Sequence, residues 1–406
     1  MESKLNQFAD IVMGQSPKGE DCNPSGIGLP LLNGPTEFGE HHPVPVQYTT
    51  DPRKIAQAGD ILFCVRGSTT GKMNLADQKY AIGRGLAAIR HKQMPELQPF
   101  VRAVVEYGLG GLLAKATGST FPNVSFGLIA NLWWPPISEN EQRSIAQFLG
   151  SLDDKIELNR QMNRTLEEMV RAIFKSWFVD FDPVRAKAEG RDPGLPPEIA
   201  DLFPDGFEES GMGEIPRGWR IGALGEVAEN TRRGAEPGKI ESSTPYIALE
   251  HMPKRSVALS EWGEAGGVGS NKFQFNKGEI LFGKLRPYFH KVGVAPINGV
   301  CSTDIVVIIA QPDFWLGFVL GHVSSDAFVD YTNAGSTGTR MPRTNWGDMA
   351  KYKVVFPPQE LANTYNNFIL LFINRIIANI HEGKSLSQIR DALLPRLISG
   401  EFRLEE

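Results

Sequence analysis

Between Ile145 and Trp177 the residues suited to a helix seam fall at Ile145, Leu149, Leu152, Ile156, Asn159, Asn163, Leu166, Val170, Ile173 and Trp177. The steps alternate between four and three residues without a slip. That spacing is a heptad stripe. It predicts a helix packed along one seam against a long partner helix, because a stripe of that length is not left facing water. The stripe returns 220 residues later at Tyr365, Ile369, Phe372, Ile376, Asn379, Gly383, Leu386, Arg390, Leu393 and Leu397, with Gly383 and Arg390 as departures. One long helix therefore occurs twice, and pairing the two copies antiparallel buries both stripes. Asn159 and Asn379 take matching seam positions, where a polar side chain weakens the seam but penalises wrong registers. The competing reading is that these Asn face solvent at a frayed seam.

The rest of the chain repeats as well. Gly278-Glu279-Ile280-Leu281-Phe282-Gly283 echoes the stretch Gly59 to Cys64, and Leu224-Gly225-Glu226-Val227 echoes Phe8-Ala9-Asp10-Ile11. The stretch Gly335 to Pro342 echoes Gly118 to Pro122, and Phe356-Pro357-Pro358 echoes Trp134-Pro135-Pro136. The offsets stay between 216 and 222 residues, the mark of a tandem duplication. Gly59 to Val65 and Gly85 to Ile89 read as turns leading into buried strands, and Val101 to Tyr107 as a short helix. Ser138 with Glu141 forms a capping-box pattern at the start of the first long helix. Asp182-Pro183 closes that helix.

The predicted fold is α+β. Two tandem-repeat globular domains of mixed α/β structure are separated by an antiparallel coiled coil of two long helices, related by a pseudo-two-fold axis. The expected boundaries are 1–136 for the first domain, 137–180 for the first helix, 181–216 for a Pro-rich acidic linker, 217–356 for the second domain and 357–406 for the second helix. A short helix is expected near Pro197 to Leu202.

The net charge of −5 is unevenly spread. Residues 178–216 hold 3 basic and 10 acidic side chains, whereas 1–136 hold 12 and 11, and 217–356 hold 16 and 13. Both large segments are mildly basic, which permits a local phosphate-binding face. No apolar run reaches the roughly 18 residues of a membrane span, and the start lacks the apolar core of a signal peptide. The 3 cysteines are far apart and in no CxxC pair. That usage predicts a reduced, cytoplasmic protein without a zinc site.

Catalytic patterns fail on inspection. Gly67 to Lys72 has three residues between its glycines and Met73 after the lysine, so it is not a phosphate loop. The histidines never stand at metal-ligand spacing; His41-His42 reads as a loop pair. Trp133-Trp134 reads as domain-edge core. No adenine-methyltransferase signature and no Gly-rich cofactor turn is present. The chain reads as non-catalytic and as binding no cofactor.

Three stretches then carry a resemblance: Pro135 to Arg143 (PPISENEQR), Leu152 to Asn159 (LDDKIELN), and Phe174 to Phe181 (FKSWFVDF). They resemble the central region of type I restriction-modification specificity (S) subunits. Leu195 to Ile199 (LPPEI) and Gly213 to Trp219 (GEIPRGW) resemble the opening of that family's second target recognition domain, and Leu394 to Glu401 (LPRLISGE) its ending. In the second helix, Asn363 to Asn367 replaces the usual Glu- and Gln-rich start. The resemblance implies two target recognition domains, each reading half of a bipartite double-stranded DNA sequence. It implies helices that space the domains and dock two methyltransferase (M) subunits. S-adenosylmethionine would belong to those subunits; ATP and magnesium would belong to motor-nuclease (R) subunits where these join. The setting would be host defence in a bacterial or archaeal cytoplasm, with no membrane partner.

Reading sequence needs side chains at base edges, while Lys and Arg on phosphates fix register. In the first domain the candidates are Arg66, Ser68, Thr69 and Lys72 in one loop, with Arg84, Lys115 and Asn123. In the second they are Lys284, Arg286 and Lys291, with Arg340 and Arg343 at the place that matches Lys115 to Asn123. A hairpin with solvated charges is the plain alternative for each loop. Two rival functions remain. An inert scaffold whose ends hold proteins would leave DNA binding untouched by Arg286→Ala or Arg340→Ala. A self-sufficient nuclease or methyltransferase lacks residues to carry the chemistry.

Overall fold

The computed structural model describes residues 3–118, 122–336 and 341–404. The chain divides into two compact units, Met1–Glu157 with Ser385–Glu406, and Leu158–Lys384. The boundary falls inside both long helices, Glu139–Phe178 and Gln359–Ile398, each 40 residues long.

Each unit is built around a four-stranded antiparallel sheet with the same strand order. In unit 1 it runs Ala9–Met13, Leu86–His91, Ile61–Cys64, Met73–Leu75. In unit 2 it runs Ala228–Asn230, Ile305–Ala310, Ile280–Gly283, Val292–Val294. The central strand Ile61–Cys64 is buried at every position. Alternate side chains of a strand point to opposite faces. Accordingly Ile61 and Phe63 join the core under the helices, while Leu62 and Cys64 join a second core. Unit 2 splits Ile280 and Phe282 from Leu281 in the same way. This explains why these strands read as continuous apolar runs rather than alternating ones.

The second core of each unit is closed by a five-stranded sheet with one parallel pair. In unit 1 the pair is Leu29–Leu32 with Tyr80–Ile82, and in unit 2 it is Pro245–Ile247 with Gly299–Cys301. Four strands of these sheets correspond between the units. The fifth, of two residues, sits on opposite edges: Cys22–Asn23 beyond Gln47–Thr49, but Gly234–Ala235 beyond Lys272–Phe275. Residues 181–216 lie on unit 2 with helices Asp182–Ala188 and Pro197–Ala200 and a hairpin of Phe207–Ser210 with Gly213–Pro216. Val184, Phe203 and Ile215 are buried in its main core.

The long helices run antiparallel within each unit. In unit 1 Asp153 meets Arg390 and Glu141 meets Arg403. In unit 2 Asn159 meets Glu382, Asn163 meets Asn379 and Trp177 meets Tyr365. Ile145, Leu149, Ile156, Asn159, Asn163, Val170 and Trp177 are buried, and Leu152, Leu166 and Ile173 half-buried. On the second helix Tyr365, Ile369, Ile376, Asn379 and Leu397 are buried, and Phe372, Leu386 and Leu393 half-buried. Ile373, Ile377, Ile380, Leu394 and Ile398 are buried beside them. The apolar band is wider than a two-position seam because each helix also covers the core of its unit. The Arg390 departure has a partner. Asp153 Oδ1 accepts from Arg390 at 2.6 Å and Asp153 Oδ2 from Arg102 at 3.3 Å, so one carboxylate ties the second helix to the first. At the helix start Ser138 Oγ accepts from the Glu141 backbone at 3.3 Å, which is the Ser half of the capping pattern.

Asn379 Nδ2 donates to Asn163 Oδ1 at 2.8 Å, and Asn159 Nδ2 to Glu382 Oε2 at 2.9 Å. Asn159 Oδ1 and Asn379 Oδ1 are buried without a partner among the described residues. Asn379→Leu alone strands Asn163 and is expected to lower stability by about 1–3 kcal/mol. The double change Asn163→Leu/Asn379→Leu restores an apolar layer and should be at least as stable as the parent. Thermal unfolding of the three proteins checks this; a single variant as stable as the double would contradict it.

Candidate nucleic-acid interface

The two candidate segments of unit 1 meet. Arg66 and Asn123 form an isolated antiparallel bridge, as do Thr117 and Asn123. Gly67 N donates to Pro122 O at 3.3 Å and Val124 N to Val65 O at 2.9 Å. Thr70 Oγ1 lies 2.7 Å from Gly67 O and 2.8 Å from Pro122 O, which closes the loop on the second segment. Val65 N also donates to Gly85 O at 2.9 Å, so Arg84 belongs to the same corner. Lys115 ends the helix Gln98–Lys115, two residues before Thr117.

Unit 2 repeats this junction. Leu285 and Arg343 form the bridge. Arg286 N donates to Pro342 O at 2.7 Å, Thr344 N to Lys284 O at 3.1 Å, and Lys284 N to Asp304 O at 2.9 Å. Each bond matches one in unit 1 at an offset of 219 or 220 residues. Arg340 lies outside the described residues.

The side chains differ more than the backbones. In unit 1 Arg66, Ser68, Thr69, Lys72, Arg84 and Lys115 are exposed and Asn123 half-buried. Within the described residues, none of those four cations forms an ion pair, which leaves them available to phosphate or base edges. In unit 2 two of the cations, Lys291 and Arg343, are committed. Lys291 Nζ donates to Leu249 O at 2.6 Å. Burial, then the neighbouring Lys254 charge, holds its ammonium below the ordinary lysine value. Arg343 lies 3.2 Å from Asp304. Lys284 and Arg286 are half-buried, and Arg286 Nε is buried without a partner among the described residues. The exposed group at the tip of this loop is instead Tyr288, 50% exposed, a residue not among the sequence candidates.

Among the described residues no three His, Cys, Asp or Glu side chains gather as metal ligands. His322, pushed down to about 3 by burial, is packed edge-on between Phe174 and Phe318. Cys301, pushed up to about 12 by burial, is a core thiol. Among the described residues no helix is long and apolar enough to cross a membrane.

What can two such corners do? They offer hydrogen-bonding and cationic or aromatic groups on a fixed backbone. Comparison with known proteins agrees with that character. Residues 1–168 match the family model described as type I restriction modification DNA specificity domain. The type I restriction enzyme HindI specificity subunit of Haemophilus influenzae is 28% identical over 339 residues, 72% of this chain and 73% of that protein.

Residues 1–168 thus carry a type I restriction modification DNA specificity domain.

A second relative, the type I restriction enzyme MjaIX specificity subunit of Methanocaldococcus jannaschii, is 25% identical over 71% of this chain and 65% of its own length. A solved type I restriction-modification system S subunit from M. genitalium superposes with a TM-score of 0.56 at 16% identity, covering 98% of this chain and 95% of that one. That likeness shows a shared fold.

Proposed function

We propose that this chain is the specificity subunit of a type I restriction-modification complex and that it reads a bipartite target in duplex DNA. One half is read by the corner around Arg66 in unit 1 and the other by the corner around Arg286 in unit 2. The long helices dock two adenine-N6 methyltransferase subunits and set the gap between the half-sites, much as a spacer fixes half-site distance in other two-headed DNA readers. The observation that supports this most is the repetition of one hydrogen-bonded corner, built from the candidate segments, in both units. Two copies of one reading surface suit a target with two parts. The chain itself performs recognition. S-adenosylmethionine belongs to the methyltransferase subunits, and ATP and magnesium to motor-nuclease subunits where these join, in a cytoplasmic complex.

The test is co-expression with the methyltransferase subunit in a host without adenine methylation, followed by genome-wide mapping of methylated adenine. The expected result is one motif of two defined halves with an undefined middle. A single contiguous motif, or methylation that persists without this chain, would overturn the proposal.

A further inference from the structure

Four non-glycine residues among those described have a left-handed backbone, and three of them meet at one place: Arg255 (φ 58°), Arg286 (φ 52°) and His290 (φ 52°). Side chains disfavour this conformation because Cβ crowds the following carbonyl. The equivalent positions in unit 1, 219 residues earlier, are Gly67 (φ 104°) and Gly71 (φ 94°), which adopt it freely. One backbone turn thus occurs twice. The second copy keeps an arginine and a histidine where glycine would be unstrained, and such outliers persist where the surroundings over-determine them.

Those surroundings lock the turn. His290 is buried; its Nε2 donates to Ser324 O at 2.9 Å, and its Nδ1 lies 3.3 Å from Asp326 Oδ1. Asp326 also accepts from Arg255 at 2.7 Å, and Arg255 N donates to His290 O at 2.9 Å. Between the two strained residues stand Pro287, Tyr288 and Phe289. Pro287 is buried, and the turn packs on the helix Asp326–Ala334. The Phe289 ring lies under Lys254 Nζ at 4.6 Å and beside Arg286 at 5.9 Å. The Tyr288 ring rests against Phe289 at 4.8 Å and is half exposed. An exposed aromatic resting on a second ring that two cations flank is suited to a face of another π-system beside phosphates. The same position in unit 1 is Thr69, which cannot stack.

We infer that Tyr288 is a stacking wedge, which unit 2 sets against or between the bases of its half-site, so that the two units read DNA by different means. This rests on the proposed DNA-reading function. A wedge unstacks a base step and makes the sequence's deformability part of what is read. Unit 1, with hydroxyls and free cations, reads without that distortion.

The experiment uses the full chain assembled with its methyltransferase subunits. Duplexes are selected from a randomised pool by the wild-type complex, and 2-aminopurine is then placed at each step of the enriched halves. With wild type, and setting aside the adenine of each half that the methyltransferase flips out, fluorescence is expected to rise at a further step in one half only, on unstacking. Tyr288→Ala should abolish the rise at that further step, leave the flipped adenines bright, and weaken binding by roughly 5- to 150-fold, with an unchanged melting temperature. Tyr288→Phe and Tyr288→Trp should retain both signals. If wild type selects a motif and Tyr288→Ala matches it in affinity and fluorescence, the wedge is overturned. It is also overturned if Tyr288→Ala instead prevents assembly with the methyltransferase, because the ring then meets protein. A wild-type complex that selects no sequence removes the DNA-reading function itself, which is a different outcome from either.

Discussion

Phe178→Ala is expected to lower the stability of unit 2 by about 3–5 kcal/mol. The ring is nearly inaccessible, at 3% exposure, and sits where four segments converge. It lies 4.8 Å from Tyr365 of the second long helix, 5.4 Å from Phe318 and 6.0 Å from Trp219, with Phe174 of its own helix at 5.7 Å. Truncation removes the transfer energy of the ring and leaves a cavity that rigid aromatic neighbours fill poorly. Phe178→Leu keeps most of the volume and should fall between wild type and Ala. Urea unfolding read by near-ultraviolet circular dichroism checks this, since Trp177, Trp219 and Trp315 lie in that core. The cluster containing Trp134 in unit 1 has none of these rings, so its transition should stay in place. An unchanged unit 2 transition in Phe178→Ala would mean that this aromatic convergence does not hold the unit together.

The long helices were legible because a heptad stripe is a strong periodic signal and recurred at a fixed offset. The central strands were legible because Gly59 and Gly278 start turns before unbroken apolar runs. Other features depend on contacts that a local window cannot hold. The helix Gln98–Lys115 extends well past the expected Val101 to Tyr107, through Gly108, Gly110 and Gly111. Gly108 is there for packing: a Cβ on it would meet Leu132 Cδ2 at 2.4 Å. Strands of two or three residues, such as Ile55–Ala56 and Gly234–Ala235, have too few residues to show a period. Asp153 and Arg390 pair across 237 residues, so Arg390 looked like a fault in the stripe. At the candidate corners the repeat register identified the segments. It did not distinguish available cations from committed ones, because that depends on partners such as Leu249 O and Asp304. The left-handed turn at Arg286 and His290 was hidden because neither residue announces it.

That difference between available and committed cations gives the sharpest expectation for binding. Arg66→Ala/Lys72→Ala in the assembled complex is expected to weaken DNA binding by about 2–4 kcal/mol, on the order of 30- to 1,000-fold, if Arg66 meets a base edge and Lys72 a phosphate. Both side chains are exposed, without an ion pair among the described residues, so little folding energy goes with them. The two parts separate by salt and by sequence. Lys72→Ala alone should reduce the slope of log affinity against log salt by about 1 and weaken all targets alike. Arg66→Ala alone should relax the motif at one position in one half and leave the other half untouched. Lys291→Ala is the contrast within unit 2. Its ammonium already donates to Leu249 O at 2.6 Å, so a phosphate would have to compete with a bond made in the free protein. Its removal should therefore alter the salt slope less than Lys72→Ala does, although Lys291 is the repeat-equivalent residue. Equal slopes for the two variants, measured by titrating a selected duplex between low and physiological salt, would mean that the intramolecular bond does not hold Lys291 back.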